Sequence, residues 1–195
     1  MSSTAALRDL VSSEGEAIAP ALGAAPGEDA LGPLLVSARA GRPDAPEYAL
    51  VIESVLEGYL LHFGRSRLLD TSDEDLQLLA GDYMYALGLS RLAAMGDLPA
   101  VAALADLITL SARHHAAGAA DGLLLEGLWM LTALAVGGGP WTGYDAAIAG
   151  AREGAADPGE LLAEVSRRAA AAGIELEAQH ALIAFRHAAS SAPQT

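Results

Sequence analysis

The sequence predicts an all-α protein, a single-domain helical bundle, and three observations lead there. Hydrophobic residues make up 52% of the chain but aromatic ones only 5%. That suits close helix packing through alanine and leucine better than a β-sandwich, which favours branched and aromatic side chains. The apolar residues recur at steps of three and four, the spacing of one helix face. Proline, glycine and aspartate then punctuate the chain at helix-length intervals. At 195 residues the chain suits one domain with a large core. The expectation is a helical domain over 1–190 and a disordered tail over 191–195.

Taken in order, residues from Thr4 to Leu22 form a packing helix that meets Pro20 and the Gly23–Gly27 turn region. Glu28–Arg39 is a short second helix with Pro33 near its start, followed by the breaker-rich loop Gly41–Pro46. From Glu47 to Phe63 the residues Tyr48, Val51, Ile52, Val55, Leu56, Tyr59 and Leu60 define a buried face. Glu53 and Glu57 lie on a neighbouring stripe and are expected in solvent, since like charges four residues apart repel slightly. In the acidic run Asp70–Asp75, Ser72 is the expected N-cap, with Asp73, Glu74 and Asp75 facing the positive helix end, in preference to a metal loop. The long apolar helix Glu74–Asp97 follows.

Asp97 caps the next helix, Leu98–Ala117, with Pro99 in its first turn. His114 and His115 near its end point about 100° apart. They are therefore expected as an exposed pair favourable to the helix dipole, not as zinc ligands. Asp121–Val136 is nearly all apolar and central, and Gly137, Gly138, Gly139 and Pro140 form its terminating turn. Helices near Tyr144–Glu153, Pro158–Ala172 and Glu175–Ala189 complete the chain, the middle one capped by Asp157 and closed by Gly173. His180 and His187 share an amphipathic face of the last.

Composition excludes several functions. A net charge of −14 opposes binding to nucleic acid or anionic membrane through a general field. With no cysteine there is no disulfide or thiolate metal site. The start MSSTAALRDLVSSEGE lacks a basic segment and a continuous apolar stretch, and no run is long enough for a membrane span, so a cytoplasmic protein is expected. Hydrolase, dinucleotide, P-loop and EF-hand motifs are missing, and no cofactor or metal is expected. The remaining chemical signal is Asp82, one acid in the middle of an apolar helix. Burying an isolated carboxylate is costly, so Asp82 is expected to be a core aspartate satisfied by a tyrosine, arginine or backbone amide, in preference to a catalytic acid.

The stretch LLAGDYMYALGLSRLAAMGD, residues 78–97, resembles the segment of trans-isoprenyl (polyprenyl) diphosphate synthases that typically reads LLAGDYLLARALELLAELGD. Leu79, Ala80, Gly81, Asp82 and Tyr83 carry the match. Read upstream without a gap, the same register places the family's first Asp-rich motif, DDxxD, on Glu53–Glu57 (ESVLE), and its Arg-Arg-Gly on His62, Phe63 and Gly64. Downstream, the family's Gly-Glu falls on His114 and His115 and its Lys-Thr near Leu131 and Thr132, while the second Asp-rich motif is absent. The resemblance spans roughly Tyr48–His115 and weakens toward Gly139. It implies a truncated isoprenoid-synthase-like bundle in which Glu53, Glu57, His62 and Asp82 are degenerate motif positions. Family members hold magnesium with the aspartates and diphosphate with the arginines, and this chain supplies too few of either.

The resemblance therefore implies a non-catalytic accessory subunit, similar to the small subunit of heterodimeric heptaprenyl-type synthases, with a catalytic prenyl diphosphate synthase as partner. The alternatives are a stand-alone isoprenoid- or lipid-binding protein with a central cavity lined by Ala86 and Gly88, and a divergent enzyme with a metal site of Glu53, Glu57 and Asp82. An unrelated Ala-rich interaction protein, as a homodimer, is the fourth.

Overall fold

The computed structural model describes residues 2–118 and 122–190. Among these, nine α-helices follow one another: α1 (Ser3–Glu14), α2 (Gly32–Ala38), α3 (Ala45–Phe63), α4 (Glu74–Ala94), α5 (Leu98–Ala116), α6 (Gly122–Gly138), α7 (Thr142–Glu153), α8 (Pro158–Ala172) and α9 (Glu175–Ser190). A 3₁₀ turn at Ala19–Ala21 and one isolated antiparallel bridge, Leu22 to Leu69, are the other ordered pairings among the described residues. The predicted all-α class is what forms. The expected tail 191–195 and Asp121 lie outside the described residues.

Two helices, α3 and α6, are the interior. Tyr48 to Leu61 of α3 are buried without a break, and α6 buries Leu125 and every residue from Gly127 to Gly137. A helix apolar on all sides belongs inside a bundle, where neighbours cover each face. The main core joins Trp129, Met130 and Leu131 of α6 to Ile52, Val55 and Leu56 of α3, with Leu104 and Leu107 of α5 and Phe185 of α9 around them. A second, smaller core sits under α1: Leu7 and Val11 pack with Leu50 and Leu61 of α3, Leu68 of the following loop and Met84 of α4.

Local signals explain most helix ends. Asp97 and Asp157 accept from the amides of Ala100 and Glu160, as expected. Gly173 closes α8 in the left-handed region, φ 68°. Three boundaries differ from expectation. The first helix stops at Glu14, because Gly15 turns the chain and Pro20 enters the 3₁₀ turn. The second begins at Gly32 instead of Glu28, since residues up to Gly32 give their amides to a side chain of α3. Asp73, not Ser72, caps α4, accepting from Leu76.

The triple glycine is also not simply a turn. Helix α6 continues through Gly138, and a Cβ on Gly137 would lie 2.7 Å from Cβ of Ala38, so its bare backbone lets α2 approach. Gly139, at φ 85°, then ends the helix. Arg39, buried at the end of α2, donates to the Gly137 carbonyl at 3.0 Å and pairs with Asp44 at 2.6 Å, holding the Asp44 carboxyl below its ordinary range by that hydrogen bond. A cation thus meets the negative end of α6.

Helices α3 and α4 form the most extensive pairing, and their approach is set where Gly58 faces α4. A Cβ there would lie 2.7 Å from the Tyr85 ring and 3.0 Å from the Gly81 carbonyl oxygen. The carbonyl cannot swing away as a side chain can. Gly58→Val is expected to destabilise the fold by about 1–3 kcal/mol through overpacking, measured as a lower urea midpoint; an unchanged midpoint would refute the close approach.

Candidate functional site

The four positions singled out by the resemblance, Glu53, Glu57, His62 and Asp82, separate into two places. Glu53 and Glu57, one turn apart on α3, are fully buried, which corrects the expectation of solvated glutamates. That expectation assumed one buried face, but α3 is enclosed on all sides, so its charged stripe also points inward.

Glu53 and Glu57 are held by a guanidinium and by backbone. Glu53 Oε1 accepts from the amides of Ala30, Leu31 and Gly32, each at 2.7 Å. Those amides belong to the start of α2, which has no side-chain cap of its own, so a carboxylate from another helix supplies it. Glu53 Oε2 accepts from Arg67 Nη1 at 2.7 Å, and Glu57 Oε2 from Arg67 Nε at 3.1 Å. Glu57 Oε1 accepts from the Ser66 hydroxyl and from the amides of Arg67 at 2.8 Å and Leu68 at 3.2 Å. Arg67 also donates to the Glu28 carbonyl. Burial would lower its affinity for a proton, but the two carboxylates more than compensate and raise it.

Chemically this is a closed ion triad. Every carboxylate oxygen of the pair has at least one donor, and the guanidinium stands where a cation would have to enter. Ser54, between the two glutamates, donates to the Met84 carbonyl at 2.8 Å and joins α3 to α4.

Asp82 is not a core aspartate. Its side chain is 78% exposed, and its partner is His62 Nε2 at 3.3 Å. The apolar sequence around it led to the wrong expectation because α4 keeps apolar residues on its outer face as well. His62 Nδ1 faces the Gly58 carbonyl at 2.8 Å, its ring stacks on Tyr85 at 5.2 Å, and it fills the space beside Gly81, whose Cβ would come within 2.3 Å of it. The matched Gly81 and Asp82 therefore both serve His62. The structure does not bring Asp82 to Glu53 and Glu57, so the three form no joint metal site. Nor do Ala86 and Gly88 line a cavity: Ala86 is exposed and Gly88 packs on Val55 and Val51.

His114 and His115 are not an exposed pair either. His114 is buried, and the half-buried His115 stacks on Phe63 with centroids 4.2 Å apart and planes 4° apart. Tyr59 lies 3.1 Å by its hydroxyl from His115 Nε2. Burial pushes Tyr59 up to about 12, and burial, then the neighbouring His114, holds His115 below its ordinary value. By contrast, His180 and His187 occupy exposed positions on α9, as expected. The sequence reading passed over Arg67 and placed Tyr59 only on the buried face of its helix. Nothing in the loop Arg65-Ser66-Arg67 or in the periodicity of α3 announces a partner on another element.

No family model, curated protein or solved structure matches the chain.

Two outcomes test this geometry. Arg67→Met leaves two carboxylates buried without their cation and is expected to cost about 3–5 kcal/mol in chemical denaturation. Asp82→Asn, at an exposed pair, is expected to change stability by less than about 1 kcal/mol. His115 gives a pH signature. Its folded pKa lies below the ordinary 6.5, so the unfolded chain binds the extra proton first. Its contribution is present above about pH 6.5 and is lost as pH falls below that value. Thermal melts of wild type and His115→Phe should therefore converge in their pH dependence above 6.5 and diverge below it.

Proposed function

We propose that the chain is a non-catalytic helical subunit that pairs with a catalytic polyprenyl diphosphate synthase and supports isoprenoid chain elongation. The observation that carries this reading is the closure of Glu53 and Glu57 on Arg67. The register of the resemblance puts the synthase's metal-binding acids at these positions. Here the same positions tie the start of α2 and the loop after α3 to the central helix. Binding magnesium would require expelling a buried guanidinium and stripping five backbone amides of their acceptor. The positions that resemble the diphosphate-binding arginines hold His62, which is engaged with Gly58 and Asp82, and Phe63, which is stacked on His115.

Pairing is supported by the outer surface of α4 and α5. Leu78 and Leu79 are about half exposed and Leu98 two-thirds exposed, with Ala86, Ala93, Ala102, Ala105 and Ala112 also open to solvent. An outer face rich in exposed leucine and alanine, interrupted by Asp82 and Ser90, is surface that a partner helix could cover. Two copies, at −14 each, would repel at long range, which favours a different chain as the occupant.

Co-expression with the full-length prenyl synthase of the same cell should yield a stable heteromer on size exclusion with light scattering. Prenyl transfer should exceed that of the synthase alone, and Leu79→Glu with Ala86→Glu should abolish the complex without lowering the melting temperature of the free chain. Absence of both complex and rate gain would refute the proposal, as would magnesium-dependent release of pyrophosphate from a prenyl diphosphate by the isolated chain.

A further inference from the structure

A cleft of about 340 Å³ opens where the C-terminal halves of α3, α5 and α9 meet the start of α6. It stands apart from the ion triad and from the outer face of α4. Its apolar walls come from Leu125, Phe185 and Ala189, with the Tyr59 ring between Trp129 at 5.2 Å and Phe185 at 6.4 Å. This volume lies at the small end of the range for ligand sites, enough for a chain of about ten carbon atoms.

Polar groups share this cleft. The Tyr59 hydroxyl and His115 Nε2 form one hydrogen bond, in which either donates according to the imidazole tautomer. His115 Nδ1 has no hydrogen-bond partner among the described residues. His114 is only 8% exposed and lines the same cleft. Its ring nitrogens have no hydrogen-bond partner among the described residues and are not among the fully buried unpartnered atoms, so they open onto the cleft. An imidazole that opens onto an apolar cleft offers a polar contact to what enters it. At the rim, Arg186 pairs with Glu126 at 2.7 Å. The cleft thus offers donors or protonatable nitrogens from His114, His115 and Arg186 against one acid.

We propose that this cleft binds a small amphiphilic monocarboxylate, its apolar chain against Phe185, Leu125 and Ala189 and its carboxylate against His114 and His115 beside Arg186. A carboxylate supplies acceptors and turns a desolvated imidazole into a charge-assisted donor. Binding therefore takes up protons. Besides the two histidines, the titratable groups in the cleft are Tyr59 of α3, Glu126 of α6 and Arg186 of α9. In the range where histidine titrates, Arg186 stays charged and Tyr59 stays neutral; Glu126 is the partner of Arg186.

The probe is decanoate, below its micellar concentration, titrated into the full chain alone by calorimetry with Trp129 fluorescence as second readout. No synthase is present, so the outcome is independent of the proposed pairing. Expected are saturable one-to-one binding, affinity that falls as pH rises from about 6 to 8, and 1-decanol at least about tenfold weaker. His115→Phe should weaken decanoate at least about tenfold. Ala189→Trp, which fills the cleft from a half-exposed wall position, should abolish binding while circular dichroism and melting temperature stay at the wild-type values. No saturable binding at millimolar decanoate, decanol binding as tightly as decanoate, or undiminished binding in Ala189→Trp would each overturn the assignment.

Discussion

The fold depends on how two carboxylates are accommodated inside a bundle. Glu53 and Glu57 sit on α3, one of the two interior helices, and burying them alone would be prohibitive. Arg67 and the backbone amides of two separate segments resolve this together. The start of α2 and the loop after α3 are consequently tied to the same helical turn. Neither segment has strong local structure of its own: α2 spans only Gly32–Ala38 and lacks an intrinsic cap, and residues 64–73 form a connection without helix. A buried ion network of this kind specifies position more than it adds net stability.

Around that anchor, small residues set the spacing. Gly58 and Gly81 let α3 and α4 approach until the rings of Tyr85 and His62 occupy the places of missing Cβ atoms, and Gly137 does the same for α2 and α6. At one end of the bundle Tyr59, Phe63, Trp129, His115 and Phe185 form a connected set of ring contacts beside the cleft. The anchor and the aromatic end share α3, so a rigid central helix presents Tyr59 to the cleft while Glu53 and Glu57 secure its earlier turns.

The site was legible only in fragments. Glu53, Glu57, His62 and Asp82 were recognisable as positions worth examining because their spacing continued one register. Their environments were not, since burial on an enclosed helix cannot be distinguished from exposure by a three- and four-residue period. Asp82 shows the opposite error: apolar neighbours on α4 suggested a core, but a helix that keeps leucine and alanine on its outer face looks the same in sequence as one that is enclosed. His114 and His115 could be placed 100° apart by helix geometry. That separation argued against a zinc pair but could not reveal that His114 is buried or that the His115 ring stacks on Phe63 of α3.

What the sequence determined by itself were the local properties: helical class, the lengths of α3 to α9 to within a few residues, and the caps Asp97, Asp157 and Gly173. These follow from dihedral preference and hydrogen bonding between residues close in the chain. Tertiary structure alone decided that Arg67, ten residues beyond Glu57, neutralises it together with Glu53, and that Tyr59 meets His115 across 56 positions. The reason is physical. A charge or an imidazole takes its character from desolvation and from the partner opposite it, and both are fixed only when separate helices pack.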